Sequence, residues 1–134
     1  MLKTTVASSP KGRVVLMDSI TKDTSEDRGA NVVSASHGGS SSGEFALEVP
    51  LASVFFNDAG VGKDRAGIAA LDMLEARGVA AGTISHETGR IGDSQDMWDQ
   101  GVISYANGIA VARGFKPGLR LKDALLAVVD GTIK

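Results

Sequence analysis

The sequence contains no cysteine, which excludes disulfides, cysteine-ligated metals and a thiol nucleophile and is compatible with a reducing cytosol. It also lacks a strong charge of either sign, since its formal net charge is −2 at pH 7. Electrostatics therefore gives no reason to expect nucleic acid or an anionic membrane as a partner. No apolar run approaches the roughly 20 residues that span a bilayer, and residues 1–11 lack the apolar core of an export signal. We expect a cytoplasmic protein.

The composition is otherwise ordinary for a globular protein. The chain has 134 residues, of which 43% are hydrophobic and 22% are charged, and this length fits one domain with a single core. We therefore assign residues 1–134 to a single α/β domain. Residues 1–11 are polar and patternless, so we expect them to form a loose N-terminal lead-in.

Apolar segments alternate with helix-like segments along the chain. Strands are predicted at Arg13–Ile20, Asn31–Ser36, Leu51–Phe56 and Val79–Ser85. Helices are predicted at Ser42–Val49, Asp64–Arg77, Asp93–Arg113 and 119–130. The first strand is a continuous apolar run, as in strands that are covered on both faces. The alternation predicts a three-layer α/β/α sandwich with a mainly parallel, Rossmann-like sheet of four to five strands.

Three loops rich in glycine, hydroxyl and charged residues follow the last three predicted strands. In an open α/β sheet such loops meet at the carboxyl ends of the strands, where ligands bind. Both histidines of the chain, His37 and His86, lie in these loops. The helix N-termini there should direct free N–H groups at a small anion, such as a phosphate or carboxylate. The predicted ligand-binding residues are Gly38, Gly39, Ser40, Ser42, Gly43, Asn57, Gly60, Gly62, Lys63, Arg90 and Asp93.

The same loops hold candidate catalytic residues. Residues 39–43 match the G-x-S-x-G nucleophile elbow, with Ser41 at its centre. Asp58 and His86 follow in the Ser, Asp, His order of α/β-hydrolases, with Asp58 as the orienting group and His86 as the general base. His37 is an alternative base, and the two histidines could also form an acid/base pair.

Each of these side chains also has a structural interpretation. Ser41 and Glu44 have the spacing of a capping box, and we favour that interpretation for Ser41. Asp58 could bond its own backbone in an Asx-turn. Arg90 could form a surface salt bridge, and each histidine could be an ordinary hydrogen-bonded loop residue.

The known nucleotide-binding motifs are incomplete in this chain. Residues 60–64 are similar to the end of a P-loop, but Asn57 stands where the first glycine is needed and Asp64 where a hydroxyl is needed. The pattern G-x-G-x-x-G fails at Arg65. The histidines lack the short spacing of metal ligands. We therefore predict neither a cofactor nor a metal.

Small residues recur every four positions in the predicted helix Asp93–Arg113, at Ser104, Gly108 and Ala112. Such a stripe lets another backbone approach closely, so it is either the face that packs on the sheet or a contact with another helix. The other faces of this helix carry more apolar area than a thin sheet should need. This pattern favours a homo-oligomer.

Two stretches resemble the C-terminal domain of pyruvate kinases. Residues Ser42–Ala46 resemble its S-G-x-x-A turn, and Ile103–Gly118 is similar to its last long helix and basic, glycine-bearing exit. Together they cover roughly a third of the chain. The resemblance implies that architecture, and it implies anion binding at Ser41, Ser42 and Gly43. It does not imply kinase activity, because that domain is not catalytic in the family and the catalytic barrel is absent here.

Three functions follow from these observations. The favoured one is binding of a small anionic metabolite at the carboxyl ends of the strands. The second is a hydrolase or lyase that uses Ser41, His86 and Asp58, which requires Ser41 Oγ within hydrogen-bond distance of a histidine. The third is a non-catalytic regulatory or structural subunit. Whether the chain is an enzyme stays open at this point.

Overall fold

A six-stranded mixed sheet forms the centre of the fold. The computed structural model describes residues 2–130, and the strands lie side by side in chain order. They are β1 Lys3–Ser9, β2 Gly12–Met17, β3 Asn31–His37, β4 Ser53–Asn57, β5 Ala80–Ile84 and β6 Ile103–Ala106. Strands β2 to β5 are mutually parallel, whereas β1 and β6 pair antiparallel with their neighbours. The α/β class is confirmed, but the prediction of a mainly parallel sheet with four to five strands is wrong.

Helices connect the strands and follow the last one. Over the described residues the α-helices are α1 Ser40–Leu47, α2 Ala69–Glu75, α3 Ser94–Gln100, α4 Gly108–Ala112 and α5 Leu121–Asp130. Short 3-10 segments lie at Ile20–Lys22, Ser25–Asp27 and Lys63–Ile68. None of the helices within residues 2–130 has the length and apolar character needed to cross a bilayer.

Alternate strand residues contribute to two hydrophobic clusters. In β2, Val14 and Leu16 belong to one cluster, and Val15 and Met17 belong to the other. The first cluster includes residues of α3 and α5, whereas the second includes residues of α1 and α2. All four of these β2 side chains are buried, which explains why the apolar run is continuous rather than alternating.

The N-terminal residues are not a loose lead-in, as was predicted, but form the edge strand β1. Its residues pair antiparallel with β2, from Lys3 opposite Met17 to Ser9 opposite Gly12. Ser9 Oγ also donates a hydrogen bond to the Val129 carbonyl of α5. Every residue of β1 is exposed or half-buried, so the strand could form from polar residues without a recognisable apolar run.

The long helix predicted at Asp93–Arg113 is wrong, because this segment divides into α3, β6 and α4. Gly101 ends α3 with an extended backbone, at φ −66° and ψ 139°. A side chain at Gly101 would overlap the Met97 carbonyl oxygen and would lie 2.7 Å from Ile84 Cγ2. The three small residues of the expected stripe thus belong to two different elements, which removes the argument for a homo-oligomer built on that stripe.

A small acidic cluster includes two residues of the connection between β2 and β3, Asp23 and Asp27, together with Glu48. Burial, together with the neighbouring Glu48 and Asp27 carboxylates, raises the pKa of Asp23 to about 6, although Lys3 acts to lower it. One oxygen of Asp23, Oδ2, is buried without a hydrogen-bond partner. Lys3 Nζ instead contacts Asp27 Oδ2 at 2.9 Å. The ionised form of Asp23 is therefore unfavourable in the folded protein.

We predict that Asp23→Asn stabilises the protein above pH 6. A carboxyl whose pKa is raised on folding makes its full contribution to the free energy of unfolding below its unfolded pKa of 3.8. This contribution is lost as the pH rises through the folded pKa of about 6. Urea unfolding at pH 7 should give a gain of about 1–2 kcal/mol, after allowance for partial exposure. The gain should vanish below pH 4. Asp72→Asn is the control, because it removes the same negative charge from an aspartate that is exposed. A gain that does not depend on pH would contradict the prediction.

Candidate functional site

The loops that follow β3, β4 and β5 meet at one edge of the sheet. His37, the last residue of β3, lies opposite Asn57 in β4, and Asn57 lies opposite Ile84 in β5. The Asp58 N–H donates to the Ile84 carbonyl at 3.0 Å. His37, Asp58 and His86 therefore lie at the same carboxyl edge.

Asp58 and His86 form a direct pair at this edge. Asp58 is only 4% exposed. Its Oδ1 accepts hydrogen bonds from the Gly60 N–H at 2.8 Å, the His86 N–H at 3.1 Å and His86 Nδ1 at 3.2 Å. Burial acts to raise the pKa of Asp58, but hydrogen bonds from Gly60, the Ser104 hydroxyl and His86 offset it and hold the pKa below its usual value. The buried carboxylate is thus ionised and fixes the His86 ring.

The two histidines adopt opposite tautomers when neutral. Since His86 Nδ1 faces a carboxylate, it carries the proton, and Nε2 presents a lone pair. His37 Nδ1 accepts a hydrogen bond from the Gly39 N–H at 3.0 Å, so its Nε2 carries the proton. The His86 side chain is 50% exposed, so its Nε2 is accessible from outside. His86 is therefore arranged as a proton acceptor and His37 as a hydrogen-bond donor.

Two adjoining cavities open at the carboxyl edge. The first, of about 420 Å³, is lined by Ala59, His86, Glu87, Thr88, Gly89, Arg90, Ile91 and Asp96. The second, of about 360 Å³, is lined by Asp18, Ser19, Ile20, Thr21, Ala35, Ser36, His37, Ser41, Ser42, Phe45, Ile91 and Gly92. Ile91 belongs to both linings and is 48% exposed. The carboxyl edge thus carries two cavities that share Ile91 in their linings.

Arg90 is the cation of the His86 cavity. Its backbone N–H donates to Asp96 Oδ2 at 2.9 Å. Its guanidinium makes no salt bridge with any carboxylate of residues 2–129, so the surface salt bridge with a neighbouring carboxylate is not formed. Lys63, the second predicted cation, is exposed and lies outside both linings. Arg90 alone brings a fixed positive charge to the cavity, beside an imidazole.

Asn57 and Asp93 have structural contacts. The buried Asn57 side chain donates to the Gly89 carbonyl at 2.7 Å and accepts from the Ala59 N–H at 2.8 Å. It therefore ties the β4 loop to the β5 loop. The Asp93 side chain accepts from the Asp96 N–H at 3.0 Å and caps α3.

Glycines in the first loop allow close packing. An added Cβ at Gly38 would lie 2.5 Å from the Gly67 carbonyl oxygen, and one at Gly43 would lie 2.9 Å from Met73 Sδ. Gly43 therefore lets α1 approach α2 rather than an anion. Ser42 is buried beside it and is 6% exposed, whereas Ser40 is exposed.

The predicted capping box at Ser41 is wrong. Helix α1 begins at Ser40, its N-cap is Gly39, and no side chain caps it. The His37 ring binds the Gly39 N–H instead, so the helix starts two residues before the position that the Ser41–Glu44 spacing indicated. Ser41 is exposed and lines the His37 cavity. Among the described residues, Ser41 Oγ makes no hydrogen bond to either imidazole.

The loop after β4 is strained. Four consecutive residues have positive φ angles: 52° at Ala59, 77° at Gly60, 67° at Val61 and 74° at Gly62. Glycine adopts such angles without strain. Val61 does not, because a β-branched residue with positive φ is a genuine outlier. Such strain concentrates at functional sites.

Sequence reasoning missed two residues of this site. Ser104 lies on β6, where its Oγ is 2.9 Å from Thr83 Oγ1 and its hydroxyl reaches Asp58. The prediction of one long helix placed Ser104 elsewhere. Ile91 lines both cavities. The sequence signal that could have indicated it is an isolated isoleucine in a glycine-rich loop.

Residues 2–130 contain no group of three or more histidine, aspartate or glutamate side chains that could hold a metal ion. The arrangement can position a small molecule beside an oriented imidazole and a guanidinium. No family model matches the sequence, and it matches no curated protein and no solved structure.

Proposed function

We propose that the cavity beside His86 binds a small molecule bearing a carboxylate or phosphate, and that His86 transfers a proton to or from it. One observation carries this proposal: the buried, ionised Asp58 accepts a hydrogen bond from His86 Nδ1–H, which leaves Nε2 accessible. A general base needs a free lone pair, a fixed orientation and access to the substrate. His86 has all three, and Asp58 is its positioning residue.

The surroundings of His86 suit a small anion. Its cavity of about 420 Å³ falls within the range of metabolite sites, about 300–1,000 Å³. The unpaired Arg90 guanidinium can bind a carboxylate or phosphate through two parallel N–H donors. The charged group of the substrate would thus be held by Arg90 while its reacting atom faces His86.

His37 favours a lyase or isomerase reaction over serine hydrolysis. Its Nε2–H can donate a hydrogen bond from the adjoining cavity to the negative charge that develops on the substrate while His86 accepts a proton. Ser41, by contrast, has no histidine partner to activate it. The division of the core into two clusters supports a three-layer arrangement in which the helices leave this edge open. We therefore infer acid–base chemistry without a covalent serine intermediate.

Binding can be tested with phosphate and malonate as probes at matched ionic strength. NMR titration should show saturable shifts of the His86 imidazole and of the Gly89 and Ile91 amides. Arg90→Gln should weaken binding about tenfold, or about 1.4 kcal/mol. Arg77→Gln removes an exposed arginine that lines neither cavity and should change the affinity less than twofold. Unsaturable shifts, or equal effects of the two variants, would exclude the site.

Proton transfer can be tested without knowing the substrate. In D₂O, a panel of 2-oxo acids and phosphorylated ketones should contain a member whose C–H exchange the protein accelerates, and His86→Asn should abolish this activity. Ser41→Ala should leave it unchanged. If the protein binds anions but accelerates C–H exchange in no member of the panel, the catalytic part of the proposal is contradicted and only the binding part stands.

A further inference from the structure

We propose a second ligand site at the opposite, amino end of the parallel strands, which binds an organic phosphate. It is a cavity of about 620 Å³, larger than either cavity at the carboxyl edge. Its lining is Lys11, Gly29, Asn31, Ala52, Val111, Ala112, Arg113, Gly114, Phe115, Lys116, Ala127 and Val128.

The lining residues place this cavity far from His86 in the fold. Lys11 immediately precedes β2, Asn31 begins β3, and Ala52 immediately precedes β4. The segment that leaves α4, including Arg113, and the last turns of α5 supply the other walls. The site is therefore separate from the proposed catalytic edge and does not depend on it.

Three cations surround the cavity without acidic partners. Lys11, Arg113 and Lys116 all line it, and none of them forms a salt bridge with a carboxylate of the described residues. Among the side chains that the structure describes, no aspartate or glutamate lines this cavity, although Asp123 lines the adjoining groove. A chain of net charge −2 thus collects three positive charges around this one cavity, which favours an anion with more than one negative charge.

Two of the polar groups are held in place. Arg113 Nη1 donates to the Ala52 carbonyl at 2.8 Å, which fixes the guanidinium and leaves its other N–H groups for a ligand. Asn31 is 4% exposed. Its Oδ1 accepts from Ser53 Oγ at 2.7 Å, and its Nδ2 donates to the Arg13 carbonyl at 3.2 Å. Asn31 belongs to the lining, and one of its two amide hydrogens has no partner among the described residues.

The rest of the lining is apolar, which indicates an organic rather than an inorganic anion. Val111 and Val128 contribute side chains that are only partly covered, and Phe115 is fully buried behind them at 1% exposure. The Phe115 ring packs against Phe55, with centroids 5.1 Å apart, so this wall is rigid. The cavity therefore fits a ligand that has a phosphate group to contact the cations and an apolar or ring-containing body to contact the apolar wall.

Calorimetric titration with ADP and with inorganic pyrophosphate, at matched ionic strength, tests the site. ADP should bind about tenfold more tightly than pyrophosphate because only ADP also covers the apolar wall. Arg113→Gln and Lys116→Gln should each weaken ADP binding about five- to tenfold. Arg77→Gln, which removes an exposed arginine outside this lining, should change it less than twofold.

The outcome also separates this site from the one at His86. ADP should shift the backbone amides of Gly29 and Gly114 and leave the His86 imidazole unchanged, and His86→Asn should bind ADP normally. Absence of saturable binding, or ADP binding that Arg113→Gln and Lys116→Gln do not weaken, would overturn the proposal. Equal affinity for pyrophosphate and ADP would overturn the assignment of an organic ligand.

Discussion

Replacing Gly67 with alanine is expected to lower the free energy of unfolding by about 3 kcal/mol or more. A methyl group at this position would overlap the Asp58 carbonyl oxygen, and it would lie 2.9 Å from Val61 Cα and 3.0 Å from the Val61 carbonyl oxygen. These atoms belong to backbone, which cannot move aside as a flexible side chain can. Moreover, the Gly67 N–H donates to the Val61 carbonyl at 2.7 Å and closes the loop after β4.

Gly78→Ala is the matched control for this prediction. Gly78 has a positive φ of 78°, but no atom lies within 4 Å of an added Cβ. Its substitution should therefore cost only the strain of a left-handed alanine, about 1–2 kcal/mol. Urea unfolding of both variants measures the difference. Equal losses would mean that the loop around Val61 adjusts freely, contrary to the close packing around Gly67.

This prediction connects stability with the proposed site. The loop that Gly67 closes begins at Asp58, and its Gly60 N–H is one of the donors that hold the Asp58 carboxylate. Gly60 also lies beside the His86 ring, since an added Cβ there would be 3.6 Å from His86 Cε1. The positive φ of Val61 persists only because such packing over-determines the loop. Loosening Gly67 should therefore also disturb the orientation of His86.

The strands that contain apolar runs were predictable, and the edge strands were not. The run Val14–Met17 is buried on both sides, so hydrophobicity alone located β2. Strand β1 is half-buried at most, and its formation depends on pairing with β2 rather than on its own apolar residues. Strand β6 followed a helical segment without a proline, and the close approach of Gly101 to Met97 is a tertiary contact that periodicity does not encode.

The site was predictable in position but not in its internal contacts. Parallel neighbouring strands bring the residues after β4 and β5 together, so the proximity of Asp58 and His86 followed from strand order. The start of α1 did not follow from the sequence. It depends on the His37 ring accepting the Gly39 N–H, a local hydrogen bond that competes with the capping box expected at Ser41.

Replacing Asp58 with alanine is expected to lower the free energy of unfolding at pH 7 by about 2–3 kcal/mol. The change leaves the Gly60 and His86 N–H groups without their carboxylate acceptor. Asp58→Asn is the matched control because an amide oxygen can replace Oδ1 as the acceptor, and it should cost about 1 kcal/mol. Equal losses in the two variants would show that these hydrogen bonds do not stabilise the fold.

The loss in Asp58→Ala should depend on pH with a definite sign. Although burial acts to raise it, hydrogen bonding holds the pKa of Asp58 below its usual value of 3.8. A carboxyl with a lowered folded pKa stabilises the protein above the unfolded value, and this contribution disappears as the pH falls through the folded pKa. Unfolding curves should therefore differ most between wild type and variant near pH 7 and converge in acid. A difference that grows below pH 4 would contradict the hydrogen-bonding account.

The effect on turnover should be larger than the effect on stability. With a substrate identified by deuterium exchange, Asp58→Asn should lower kcat by about 10²–10⁴-fold, because a neutral amide selects the His86 tautomer with unprotonated Nε2 less strongly than a carboxylate does and does not stabilise the imidazolium that forms. KM should change little, since Arg90 is untouched. Imidazole ¹⁵N shifts should show the Nδ1–H tautomer in the wild type and a mixture of tautomers in the variant. Retained kcat together with a mixed tautomer population would show that the contact between Asp58 and His86 only stabilises the loop.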